Sequence, residues 1–294
     1  MKSNSNATSV TNNSDNTHKN NGNVVHNPWR DLRRFTDARI GLGRAGISLP
    51  TSEMLAFQLS HAQARDAVNF PLDINAITEQ LSKLSAEKQL AAPLRLHSQA
   101  VDRMTYLQRP DLGRRLDENG RQTLLNFTAG QQNTAAKYDL AIVVVDGLSS
   151  LAVQKNAYPF INELLAQLGD NSELNIAPFS VVEQGRVAIG DDIGELLNAQ
   201  VVMVLIGERP GLSSPDSLGL YLTWAPKTGL NDACRNCISN IRPAGLPYCE
   251  AARRAVYLLR EAKKLKLTGV NLKDRTQDDV IEHQQSSRHF LNAE

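Results

Sequence analysis

Asp139-Leu-Ala-Ile-Val-Val-Val-Asp146-Gly147 is an unbroken aliphatic run that stops at an acidic residue and a glycine. An exposed-face strand alternates apolar and polar residues, whereas a strand covered on both faces is apolar at every position. The run therefore predicts a central strand of a parallel sheet. Ala199-Gln-Val-Val-Met-Val-Leu-Ile206 repeats the signature and ends at Gly207-Glu208-Arg209-Pro210-Gly211. Further strands are expected over 179–187, 221–224 and 237–241, with helices over 158–167, 191–198 and 250–266. Strands and helices alternating in this order argue for an α/β fold, a mostly parallel sheet flanked by helices.

The polypeptide upstream reads differently. Residues 28–136 form a mainly helical N-terminal region. One helix is expected through MLAFQLSHAQARDAV, with Leu55, Leu59 and Ala62 on its apolar face, and a second through 71–92, with Ile77, Leu81 and Leu84 in register. Arginines flank these helices, among them Arg39, Arg44, Arg109, Arg114 and Arg115, and are natural docking groups for a partner's carboxylates. Residues 1–27 are almost all Asn, Ser, Thr, Lys and Gly, too polar to bury a core, and read as a disordered tail or a tag for partner docking or encapsulation. Residues 271–294 form a polar C-terminal end. The chain thus divides into 1–27, 28–136, 137–270 and 271–294.

Composition narrows the function. The 294 residues carry 32 Lys and Arg against 31 Asp and Glu, a formal net charge of +1, which excludes binding nucleic acid through bulk charge. The longest aliphatic run is far too short to span a bilayer. Three cysteines do not make a disulfide framework, and residues 1–23 lack the apolar core of a secretory signal, so the cytoplasm is expected.

Several motifs invite a chemical reading. Gly41-Leu-Gly43-Arg-Ala-Gly46 matches a dinucleotide fingerprint by letters, but no buried strand precedes it, and a flexible docking segment fits better. Cys234-Arg-Asn-Cys237 is a CxxC pair followed by Cys249. It lacks an evident fourth zinc ligand and precedes a strand, so small side chains at a strand mouth compete with redox or zinc use. No histidine is placed for a hydrolytic triad, and no residue is assigned a catalytic or metal-ligating role. Three strand ends remain, at Asp146-Gly147, Arg186-Val187 and 207–211, where open parallel sheets bind ligands. Gly207 and Gly211 would let backbone approach such a ligand, and a solvated turn is the alternative.

ARIGLGRAG, YLQRPDLGRRL, VVVDGLSS, GRVAIGDDIGELLNAQVVMVLIGERPGL and CISNIRP occur in this order. Together they resemble the small (light) subunit of ethanolamine ammonia-lyase over about 30–270. The resemblance implies a Rossmann-like C-terminal domain and a radical deamination of ethanolamine to acetaldehyde and ammonia. It also implies adenosylcobalamin as cofactor, lying at the interface with a catalytic large subunit. Its cobalamin contacts fall on Val187, Glu208 and Cys237. Localisation within a bacterial microcompartment, with association to its shell, comes with the resemblance, as do the absence of membrane and nucleic-acid partners. None of the six histidines has an aspartate two residues before it, so the chain lacks the Asp-x-His pattern that ligates cobalt in another cobalamin family. A stand-alone α/β module for a nucleotide-like ligand, and a CxxC oxidoreductase, are the competing readings.

Overall fold

The computed structural model describes residues 24–130, 138–169 and 174–276. The chain forms two compact units, 1–59 and 60–294. Most of the polar tail and residues 277–294 lie outside the described residues.

In the first unit, β1 (Val24–Val25) pairs antiparallel with β2 (Arg44–Ala45). A 3₁₀ helix, Pro28–Phe35, begins at Asn27, whose side chain accepts from the Trp29 amide. The guanidiniums of Arg30 and Arg33 converge on Glu53, near the start of α1 (Thr51–Asn69). These bonds, that of Arg33 foremost, hold the buried Glu53 carboxyl below its ordinary range. The glycine motif belongs to this ribbon. A Cβ on Gly41, at φ +59, would lie 2.4 Å from the Arg30 amide nitrogen, and one on Gly43 would lie 2.6 Å from the Val25 carbonyl. The chain's own backbone occupies the space a phosphate would need, and no helix opens at these glycines. The helix expected through MLAFQLSHAQARDAV is α1. Leu55 and Leu59 are 59% and 60% exposed, and Ala62 is exposed as well.

The second unit holds a six-stranded sheet. Its strands are β3 (Leu94–His97), β4 (Tyr138–Val145), β5 (Ser180–Glu183), β6 (Ala199–Gly207), β7 (Leu218–Trp224) and β8 (Arg235–Ile241), in the order β3-β5-β4-β6-β7-β8. The first four are mutually parallel, and β7 and β8 add as an antiparallel hairpin. The fold is thus α/β with a mixed, mostly parallel sheet flanked by helices. One strand, β3, arises inside the stretch read as mainly helical.

Alternation along β4 and β6 explains the unbroken runs. Leu140, Ile142, Val144, Val201, Met203 and Leu205 enter one core with α2 (Ile74–Glu87), α5 (Ser150–Leu168) and α7 (Tyr248–Leu265). Ala141, Val143, Val145, Val202, Val204 and Ile206 enter the other with Leu124 of α4 (Glu118–Ala129) and Ile189 and Ile193 of α6 (Ile189–Leu196). Each of these buried aliphatic side chains contributes roughly 1.5–3 kcal/mol, so both faces must be covered. Ile77, Leu81 and Leu84 of α2 sit in the first core, as their spacing predicts. The short α3 (Arg103–Gln108) starts at Asp102, which accepts from the Thr105 amide. No helix among the described residues is long and apolar enough to cross a membrane.

Candidate functional site

The carboxyl ends of β4, β5 and β6 come together with the hairpin. At the β4 end, Asp146 is buried, and its carboxylate turns back onto the chain leaving β5. Oδ1 accepts from the amides of Gly147 (2.8 Å) and Gly185 (3.0 Å), and Oδ2 accepts from Gln184 (2.9 Å). Burial pushes this carboxyl up to about 6, against the pull of those amides and of Arg103.

Val187 sits in the turn between β5 and α6, half-buried against the α6-side core. The expected strand over 179–187 therefore ends early, at Glu183, because the chain bends at Gln184 (φ +54).

Glu208 is the first residue after β6. Its amide donates to the Ser217 carbonyl (2.9 Å), and its Oε2 accepts from the Ser217 hydroxyl and from the Asn240 amide (3.2 Å). The carboxylate lies over Gly219, where a Cβ would come 2.9 Å from Oε1. Gly219 falls between Leu218 and Leu220, both in the α5–α7 core, so it and Glu208 belong to the opposite, α6 face.

Cys237 lies on β8 in register with Tyr221 of β7, which in turn faces Val204 of β6. Val204 and Tyr221 belong to the α6-side core, which places Cys237 on that same face. Burial, with the Cys237 sulfur nearby, pushes the Tyr221 phenol well above its ordinary pKa, and that sulfur lies 3.3 Å from the Ser239 hydroxyl. Cys237 and Ser239 are exposed and Tyr221 is half-buried, so this half of the face is open. Val187, Glu208 and Cys237, distant in sequence, thus share one face of the sheet near its carboxyl end. Tyr221 and Gly219 lie between them and carry no motif that would have singled them out.

A buried ion pair fixes the two sides of this shelf. Arg235 of β8 binds Asp191 of α6 through two bonds of 2.7 Å, and each side chain is 1% exposed. The remaining motifs have other occupations. Cys234, Cys237 and Cys249 are free thiols. Gly207 does not open toward a ligand, because a Cβ there would lie 2.0 Å from the Ser149 carbonyl and 2.6 Å from that of Asp146. Gly211 closes a turn with Ser214. Among the arginines read as docking groups, Arg109 chelates Asp111, Arg115 pairs with Asp192 (2.9 Å), and Arg39 stacks on Phe57 (4.9 Å). Arg44 is exposed.

The second unit is thus an α/β subunit fold with a partly polar shelf at its strands' carboxyl ends, where open sheets of this kind bind ligands. Residues 26–273 match the family described as ethanolamine ammonia-lyase light chain, and the chain belongs to that family. It is 55% identical to the ethanolamine ammonia-lyase small subunit of Pseudomonas syringae pv. tomato, over 89% of this chain and 88% of that one. It is also similar to the small subunits of Pseudomonas fluorescens Pf0-1 (56% identical, covering 87% of this chain and 90% of that one) and Azotobacter vinelandii (55%, covering 86% and 91%). The chain is a subunit of a carbon–nitrogen lyase.

Proposed function

We propose that this chain builds one wall of the adenosylcobalamin site of ethanolamine ammonia-lyase, at the interface with the large subunit, and that Val187, Glu208 and Cys237 are its cofactor contacts. The observation that carries this reading is their place on one face of the sheet near its carboxyl end, a face open at Cys237 and Ser239. The residues suit a corrin. Val187 offers an apolar surface for the macrocycle edge. Glu208 is anchored through Oε2, and its Oε1 is an acceptor for the amide groups of the corrin rim, a charge-assisted bond worth about 1.5–3 kcal/mol. Tyr221 and Cys237 add a flat, weakly polar floor. When bound, adenosylcobalamin supplies the radical chemistry that carries ethanolamine to acetaldehyde and ammonia.

An open face is one wall only, and reactive intermediates need exclusion of water on every side. The large subunit completes the enclosure and holds substrate. The first unit supports this partnership, since Trp29, Phe35, Ile47, Leu55 and Leu59 are exposed apolar residues interspersed with Arg30, Arg34 and Arg44. Apolar area rimmed by guanidiniums is what a subunit interface requires. In this reading the enzyme works in the bacterial cytoplasm, within a microcompartment, and residues 1–27 are dispensable for chemistry.

The test is reconstitution. The chain alone, given adenosylcobalamin and ethanolamine, should release no acetaldehyde, and activity should appear with the large subunit. In the complex, Glu208→Ala should weaken cobalamin binding about tenfold or more, with Glu208→Gln between it and the parent. Turnover by the isolated chain, or unchanged affinity in both Glu208 variants, would overturn the assignment.

A further inference from the structure

The turn that presents Val187 is held in a conformation its sequence disfavours. Gln184 sits at φ +54, in the left-handed region that residues with a Cβ avoid. The backbone around it is held at several points. The Asp146 carboxylate accepts the Gln184 and Gly185 amides at 2.9 and 3.0 Å. The Ser98 hydroxyl donates to the Gln184 carbonyl at 2.6 Å, and the Arg186 amide donates to the Gly113 carbonyl at 2.7 Å. The Arg186 guanidinium reaches the Tyr106 carbonyl (3.0 Å) and stacks on one side of the Tyr106 ring at 4.4 Å; Arg103 stacks on that ring too, at 4.7 Å. Val187 follows directly and leads into α6.

We propose that Asp146 is a positioning residue for the cofactor shelf: its carboxylate holds Gln184 in the left-handed conformation and thereby sets where Val187 stands. The proposal rests on the reading of Val187 and Glu208 as cobalamin contacts. Only an ionised carboxylate does this with both oxygens, because Oδ1 and Oδ2 each accept backbone amides. In Asp146→Asn, the new amide group would point a donor at a donor, either at Gln184 or at Gly185. The Arg103 guanidinium, 3.7 Å from Oδ2, balances part of the Asp146 charge. Burying an ionised carboxylate is unfavourable, and a buried perturbed acid at a strand's carboxyl end is a mark of sites rather than of cores.

The experiment titrates the co-expressed two-subunit complex with cyanocobalamin by absorbance, and follows hydrogen exchange across 183–190 without cofactor. Asp146→Asn should weaken binding about tenfold and speed exchange in that segment. Adding Gln184→Gly should recover most of the affinity, because glycine adopts a positive φ without help. Gln184→Gly alone should bind like the parent. A merely structural loss would not be rescued by glycine at 184. If Asp146→Asn prevents assembly, Ser98→Ala, which releases only the Gln184 carbonyl, should weaken binding severalfold. The proposal is overturned if Asp146→Asn (or Ser98→Ala) binds like the parent while Glu208→Ala or Val187→Ala is impaired, or if glycine at 184 restores nothing. If Glu208→Ala, Val187→Ala and Asp146→Asn all bind normally, the shelf reading itself falls and takes the proposal with it.

Discussion

Arg235→Met should be the most damaging single change in the second unit that touches no aromatic or aliphatic core residue. Arg235 has five N–H donors, and the structure engages them all. Nη1 bonds Asp191 (2.7 Å) and the Thr223 hydroxyl (3.1 Å), Nη2 bonds Asp191 (2.7 Å) and the Leu230 carbonyl (3.2 Å), and Nε reaches Asp232 (3.4 Å). Asp232 is 90% exposed and its pair counts for little. Asp191 is 1% exposed, and among the described residues its carboxylate bonds to the Arg235 side chain alone, so removing Arg235 strands a carboxylate in the interior. Breaking such a pair from one side costs about 3–5 kcal/mol. At about 2–4 °C per kcal/mol for a unit of this size, the melting temperature should fall by roughly 6–20 °C.

The double variant decides whether the charge or the shape is at stake. Asp191→Leu with Arg235→Met removes both ions and keeps volume, and such replacements are often neutral or stabilising. It should melt well above Arg235→Met alone. Thermal unfolding of the parent, both single variants and the double measures the coupling directly. The same four proteins, assembled with the large subunit, should be titrated with cobalamin. The pair ties α6, at whose head Val187 lies, to β8, which carries Cys237 two residues further on. An Arg235→Met protein melting within about 2 °C of the parent would refute the reasoning, because a buried carboxylate cannot lose both of its guanidinium bonds without cost.

Asp146 should leave a signature in the pH dependence of stability. Its folded pKa of about 6 lies above the ordinary 3.8, so the folded chain holds a proton that the unfolded chain releases between those values. Stability from this group is therefore present at about pH 4 and lost as pH rises through about 6, a swing of up to about 3 kcal/mol that Asp146→Asn should abolish in denaturant titrations. Gly185→Ala should destabilise by about 1–3 kcal/mol, because the new Cβ would lie 2.6 Å from Cγ1 of the fully buried Val145; a chemical-denaturation midpoint matching the parent's would contradict it.

The parts of the fold that were legible are those where burial leaves no freedom. Strands β4 and β6 serve two cores at once, so nearly every position had to be aliphatic, and the runs announced themselves. Strand β3 did not. Leu94-Arg-Leu-His97 is four residues at a sheet edge, with polar side chains alternating, and nothing local separates it from a loop. The periodicity of Leu55 and Leu59 gave a helix but not its environment, because amphipathic spacing does not say what the apolar face meets. The glycine fingerprint failed for a similar reason. Three glycines report close backbone approach, and at Gly41 the approaching backbone is that of Arg30. Val187, Glu208 and Cys237 came from the resemblance. Their convergence depends on β7 and β8 folding back beside β6 so that Cys237 meets Tyr221, a long-range registry that no window of sequence encodes.

Three locally unfavourable features crowd around the shelf: the ionised, buried Asp146, the left-handed Gln184, and the fully desolvated Arg235–Asp191 pair. A sequence selected for stability alone would replace each, with an apolar residue, a glycine and a hydrophobic contact respectively. Each one fixes a direction instead. Asp146 and Gln184 fix the turn before α6, and Arg235–Asp191 fixes α6 against β8. In the proposed site the walls bearing Val187 and Cys237 are thereby set in advance of the ligand, while the face stays open at Cys237 and Ser239. Rigid walls lower the ordering cost of binding a large cofactor, and an open face lets a second subunit close over it. This division suits a chain whose contribution to the lyase is placement: the unfavourable local energies are spent on geometry.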